Sequence, residues 1–261
     1  MNAFVLSAPA TRKQIVSFGA GSDTRYFRLR QTLPPAALAS LAYHELDFAA
    51  VTAAKIGAIL RHGLLPAAEI VAVDEAAGSL DAGGYRIHAL DLRALRPGCV
   101  PPAGVELAGP PTLFLSECCL VYLAPEEADA IVRWTTADFA ASVGIAVYEP
   151  VGGDDAFGRV MVRNLAARGI VLGTLERYAT LARQRERLRA LGYSAAQHAA
   201  DIHHISETWV DAAEKDRIAR LELLDEVEEW RMLARHYCVA WAWRGSAFDV
   251  WDGAVPLQPA D

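Results

Sequence analysis

Five groups of residues in this chain have the types and positions to hold a charged small molecule. They are Gly19-Ala20-Gly21, Asp47, Asp91-Leu92, Glu117 and Tyr148-Glu149-Pro150. Each follows directly on a short run that reads as a strand. Glycines let a backbone approach a ligand closely. A carboxylate after a second strand can accept both hydroxyls of a ribose. An acid with an apolar neighbour after a third strand can bind an adenine amino group and cover its face. A row of acids repels phosphate, so a dinucleotide fits poorly. A nucleoside cofactor that carries a sulfonium charge suits such surroundings.

Ordinary structural explanations stand beside these. Gly-Ala-Gly is also a common strand-to-helix turn, Asp47 could cap the next helix, and Asp91 could be a solvated loop acid. Glu117 is harder to explain away. It lies between TLFLS and CCLVYL, so it is expected to be buried and in need of a partner.

The elements that must position these groups follow from periodicity. Gln14–Phe18 reads as a buried strand, and Asp23-Thr24 caps a short helix near Thr24–Arg30. Tyr43–Leu46 is a second strand and Phe48–Leu60 a helix. Pro66–Gly84 reads as a small-residue, acidic connection, and Tyr85–Leu90 as a third strand. Pro97–Pro111 is loop. Thr112–Ser116 is a continuous apolar run, as a central parallel strand requires. Pro125 opens a helix with Glu126 and Glu127 in its first turn. Gly144–Tyr148 is a fifth strand. Asp155–Arg168, Leu181–Leu191 and Asp225–Arg235 are helices, and Tyr237–Trp243 is a final apolar strand. Alternation of strands and helices predicts an α/β, doubly wound, mostly parallel sheet, whose ligands bind beyond the carboxyl ends of the strands.

Composition sets the outer bounds. The chain has 261 residues, 53% hydrophobic and 22% charged, enough for a substantial core. A net charge of −7 offers no broad basic field for nucleic acid or an anionic membrane. No apolar run reaches the roughly 18 residues that span a bilayer. The four cysteines, Cys99, Cys118, Cys119 and Cys238, form no C-x-x-C pair and no metal-ligand spacing, so no metal is expected. Adjacent Cys118 and Cys119 read as buried small hydrophobes, and a reducing, cytoplasmic compartment follows.

Four blocks carry a family resemblance. QIVSFGAGSDTRYFRLR, LFLSECCLVYLAPEEADAIVRW, YEPVGGDDAFGRVMVRNL and the long RLELLDEVEEWRMLARHYCVAWA resemble the leucine carboxyl methyltransferases. The resemblance runs from Gln14 to about Arg244. It implies a class I S-adenosylmethionine-dependent methyltransferase fold with helices on both faces of the sheet. It implies S-adenosyl-L-methionine as cofactor, contacted by Gly19, Asp47, Asp91, Leu92 and Glu117. Tyr122 matches a tyrosine close to the transfer site and is the expected substrate-binding residue. The family's substrate is the C-terminal leucine carboxylate of the type 2A protein phosphatase catalytic subunit. An α-carboxyl group, with a pKa of about 3.5, is already ionised at neutral pH, so no catalytic acid or base is assigned.

Family members carry a longer stretch before the first strand, including an arginine for the cofactor carboxylate. Only 13 residues precede Gln14 here, and Arg12 and Lys13 lie too close to the strand to replace it. The expectation is a monomeric single domain, 1–261, without the family's N-terminal helical segment. Three alternatives remain: a catalytically impaired binding module, a small-molecule carboxyl or O-methyltransferase of the same fold, and a related tRNA-modifying enzyme. The last carries a kelch-type propeller, and no repeat of about 50 residues is present.

Overall fold

Lys13–Phe18 forms strand β1, and all six residues are buried. A strand buried on both faces must lie in the middle of a covered sheet. In the computed structural model it does. The structure describes residues 1–8, 11–222 and 224–258. Leu223 of the C-terminal block and the last three residues of the expected domain lie outside the described residues.

A short helix, α1 (Asn2–Leu6), precedes β1. After it come α2 (Arg25–Thr32), α3 (Pro35–Ala39), β2 (Leu41–Asp47) and α4 (Ala49–Arg61). Then follow β3 (Ala72–Asp74), β4 (Ser79–Ala82), β5 (Tyr85–Ala89), β6 (Thr112–Glu117), α5 (Pro125–Ala137) and β7 (Val143–Pro150). The C-terminal part contains α6 (Ala156–Ala166), α7 (Leu181–Ala190), β8 (Ala196–Asp201), α8 (Ile202–Thr208), α9 (Ala212–Ala219), α10 (Val227–Arg235) and β9 (Tyr237–Arg244).

The nine strands form one sheet in the order β3-β4-β5-β2-β1-β6-β7-β9-β8. Strands β5, β2, β1, β6 and β7 are parallel neighbours. The final strand departs from that pattern, because β9 runs antiparallel to both β7 and β8. The expected connection at 66–84 contains the β3–β4 hairpin, which adds an antiparallel edge to β5.

Alternation along the strands divides the core. Val16, Phe18, Leu46, Phe114 and Ile145 face one side, where Trp134 and Ile131 of α5 cover them. Ile15, Tyr43, Tyr85, Leu113 and Trp241 face the other, packed against Tyr26 of α2, Ile56 of α4 and Phe248. Two helix starts show capping chemistry. Pro125 occupies the first turn of α5, and Asp155 caps α6 by accepting the Gly158 amide at 2.7 Å. No helix among the described residues is long and apolar enough to cross a membrane.

Candidate functional site

All five parallel strands deliver their carboxyl ends to one edge, and two adjoining cavities open there. The first, of 220 Å³, is bounded by Asp47, Phe48, Asp91, Leu92 and Tyr122. The second, of 340 Å³, is bounded by Ser17, Asp23, Arg25, Arg28 and Glu117. Gly19 and Cys118 border both, so they form the wall between a largely apolar chamber and a polar one.

Backbone geometry explains why glycine stands at position 19. Its φ is +60°, and a Cβ there would lie 2.5 Å from the Cys119 Sγ. The turn is tied to β2 by Asp47, whose Oδ2 accepts the Gly21 amide at 2.8 Å and whose Oδ1 accepts the Phe48 amide at 2.7 Å. Asp47 therefore stays in place at the mouth of the apolar chamber. Asp91 accepts the Arg93 amide at 3.0 Å and pairs with the Arg93 guanidinium. That pairing holds its carboxyl below the usual range. Leu92 is nearly buried and turns its side chain between the chamber and the core. Tyr122 is 50% exposed, so it is a surface residue of the chamber and not a core aromatic.

Glu117 departs from expectation. Its side chain is 52% exposed, because β6 ends there and the chain leaves the sheet at the open edge. Apolar neighbours in sequence made it look buried. It does have a partner, Arg25 of α2, which also bonds Asp23 at 2.8 Å. Burial works against the Arg25 charge, but its bonds to Glu117 and Asp23 outweigh that and raise its pKa. Arg25 borders the polar chamber, where the sequence had left a basic residue for a cofactor carboxylate unassigned. The signal was an arginine in the first turn after the glycine loop. Arg12 and Lys13 lie at the opposite edge of the sheet. Arg12 pairs with Glu106, and Lys13 Nζ donates to the Val5 and Ala8 carbonyls.

Two other strand-end acids do not join the cavities. Glu45 is buried against Lys55 of α4. Glu149 is buried with Arg187 of α7, 3.4 Å away. Cys118 is not fully buried as expected, since it lines both chambers with a φ of +45°, the only positive value at a non-glycine position among the described residues. Burial pushes the thiols of Cys118 and Cys119 up to about 11 and 12. They remain protonated at neutral pH and are poor nucleophiles.

The cleft suits the donor that the sequence implied. Its apolar half carries Asp47 and Asp91 beside Leu92, as an adenosine would need, and its polar half carries Arg25 and Arg28 with Asp23 and Glu117. The strand order, the strand β9 reversed between β7 and β8 and a glycine turn closing β1 define a class I S-adenosylmethionine-dependent methyltransferase. A solved O-methyltransferase family protein from Burkholderia thailandensis superposes with a TM-score of 0.51 at 12% identity, covering 94% of this chain and 53% of its own length. A family profile described as leucine carboxyl methyltransferase matches residues 1–136. Leucine carboxyl methyltransferase 1 of Aspergillus fumigatus is 47% identical over 95% of this chain and 71% of its own length. The corresponding protein of Schizosaccharomyces pombe is 44% identical over 88% and 73%. That of Emericella nidulans is 48% identical, and the chain spans 65% of its length. The chain belongs to the leucine carboxyl methyltransferase family.

Proposed function

We propose that this protein transfers a methyl group to the C-terminal leucine carboxylate of the type 2A protein phosphatase catalytic subunit. The observation that carries the reading is the divided cleft, with Gly19 and Cys118 between an apolar chamber and one holding Arg25 and Glu117. S-adenosylmethionine would supply an activated methyl group there. Asp47 would hold the ribose hydroxyls, and Asp91 with Leu92 the adenine. Glu117 would receive the ammonium group and Arg25 the carboxylate of the amino-acid moiety. Tyr122 would border the acceptor. The acceptor is already an anion at neutral pH, so the protein's work is alignment and exclusion of water.

The test uses isotope-labelled donor, the purified phosphatase subunit, and the same subunit without its terminal leucine. Label should enter the intact subunit alone, and S-adenosylhomocysteine should raise the melting temperature by mass action. The Glu117→Gln variant should keep its fold and bind S-adenosylhomocysteine roughly ten- to a hundred-fold more weakly, the loss of one charge-assisted hydrogen bond. Equal labelling of both subunits, or of unrelated small carboxylic acids, overturns the substrate assignment.

A further inference from the structure

A carboxylate acceptor needs hydrogen-bond donors, and two of the cations near the cleft are engaged, while Arg28 stands exposed at the border of the polar chamber. Arg25 is bonded to Asp23 and Glu117, and Arg93 to Asp91. The next side chains along the same edge are tyrosines. Tyr148, near the end of β7, stands beside Glu117 in the sheet register and projects to the same face. Tyr237 opens β9, and its ring stacks on that of Tyr148 with centroids 5.4 Å apart and planes 17° from parallel. Both side chains are partly exposed. The Tyr148 carbonyl accepts the Cys118 amide at 2.8 Å, which fixes the pair against the wall between the two chambers. The edge thus runs from the apolar chamber at β5 and β2, through Gly19 and Cys118, past Glu117, to two phenols on β7 and β9.

We propose that Tyr148 and Tyr237 hold the acceptor carboxylate through their hydroxyls. This rests on the methyl-transfer reading above and names the acceptor side of that site. A phenol donates one hydrogen bond without charge, so it orients a carboxylate and leaves more of its negative charge on the attacking oxygen than a guanidinium would. Burial pushes the Tyr148 hydroxyl up to about 12 and raises that of Tyr237 as well, with the Cys118 thiol adding to both. Both remain donors throughout the neutral range. Stacking fixes each ring against the other, which limits the rotamer freedom lost when an acceptor binds.

The experiment measures binding of the phosphatase catalytic subunit to protein loaded with S-adenosylhomocysteine, using the subunit with a free and with a methyl-esterified terminal leucine. Wild type should prefer the free acid. Tyr148→Phe and Tyr237→Phe keep the stack and the fold, so melting temperature and S-adenosylhomocysteine affinity should not change. Each should weaken binding of the free acid roughly ten- to a hundred-fold and leave the ester nearly unaffected. If both variants discriminate acid from ester as wild type does, this inference fails and the methyl-transfer reading stands. If the variants instead lose S-adenosylhomocysteine, the phenols belong to the donor site and the inference fails. If wild type binds neither form, the substrate reading and this inference fall together.

Discussion

Replacing Gly19 by alanine tests the wall between the two chambers. At a φ of +60° an alanine side chain meets the steric penalty of the left-handed region, about 1–2 kcal/mol. Its Cβ would also sit 2.5 Å from the Cys119 Sγ and 2.9 Å from the Cys119 Cβ. Favourable carbon contacts begin near 3.5 Å, so the β6 exit segment must move. Overpacking of this kind costs about 1–3 kcal/mol. Together the two effects predict a loss of about 2–5 kcal/mol. At about 2–4 °C per kcal/mol for a domain near this size, the melting temperature should fall by about 4–20 °C. Cys119 carries Cys118 with it, so affinity for S-adenosylhomocysteine should fall at least about tenfold. Adding Cys119→Ala removes the Sγ but not the Cβ and not the φ penalty. The double variant should therefore recover about 1 kcal/mol, read as the coupling term of a double-mutant cycle in chemical denaturation. A Gly19→Ala protein that melts within a degree of wild type and binds S-adenosylhomocysteine normally would refute the reasoning.

Two further perturbations follow from buried charge. His44 Nδ1 and His88 Nε2 lie 3.1 Å apart on neighbouring strands, and burial lowers their pKa values to about 3 and about 4. An unfolded histidine near pH 6.5 takes up a proton that the folded pair refuses, so stability is full above pH 6.5 and declines as pH falls toward 4. His88 alone should remove about 2 kcal/mol by pH 5, and His88→Gln should take that share out of a denaturation series between pH 7 and pH 5 while leaving the share of His44. Arg187→Met leaves buried Glu149 without its cation and takes one partner from Asp129, which keeps Arg177 and Tyr178. It should cost about 3–5 kcal/mol, and adding Glu149→Leu should return part of that in the same denaturation assay.

The strands that build the site were legible because they are short runs rich in apolar and β-branched or aromatic residues, bounded by turn signals. Gln14–Phe18, Tyr43–Leu46, Thr112–Ser116 and Gly144–Tyr148 all lie within observed strands. The pieces missed are those whose residues carry little β signal. Strand β4 is Ser-Leu-Asp-Ala and β8 is Ala-Gln-His-Ala-Ala-Asp. Pairing with β5 and β9 makes them strands, and partners distant in sequence leave no local trace. The reversed direction of β9 was invisible for the same reason. The structure brings Gly19, Asp47, Asp91, Leu92 and Tyr122 to one cavity and sets Glu117 at the next. Because topology alone sends those ends to one edge, reading the carboxyl end of each strand found all of these but Tyr122, which only the family resemblance supplied. That rule could not say which acids turn inward. Glu45 lies two residues before Asp47 on the same strand, yet it meets Lys55 of the covering helix instead of the cleft.

Charge pairing also narrows what the polar chamber can hold. Arg25 stands between Asp23 and Glu117, so one cation is matched by two acids before any ligand arrives. An amino-acid moiety brings one ammonium and one carboxylate. Each can replace part of an existing ion pair, Glu117 turning to the ammonium and Arg25 to the carboxylate, without leaving a charge unmatched. A phosphate would have to compete with two carboxylates for one guanidinium, at a cost in unpaired charge that nothing bordering the chamber except exposed Arg28 could offset. The positive sulfonium between the two chambers would then face Asp47 on one side and Glu117 on the other. S-adenosylmethionine would supply a methyl group to an anionic acceptor, and a wall of uncharged groups would favour the accompanying loss of charge more than water does. Cys118, Cys119 and the Tyr148–Tyr237 pair supply such a wall, with protonated thiols and phenols on the side where an acceptor would enter.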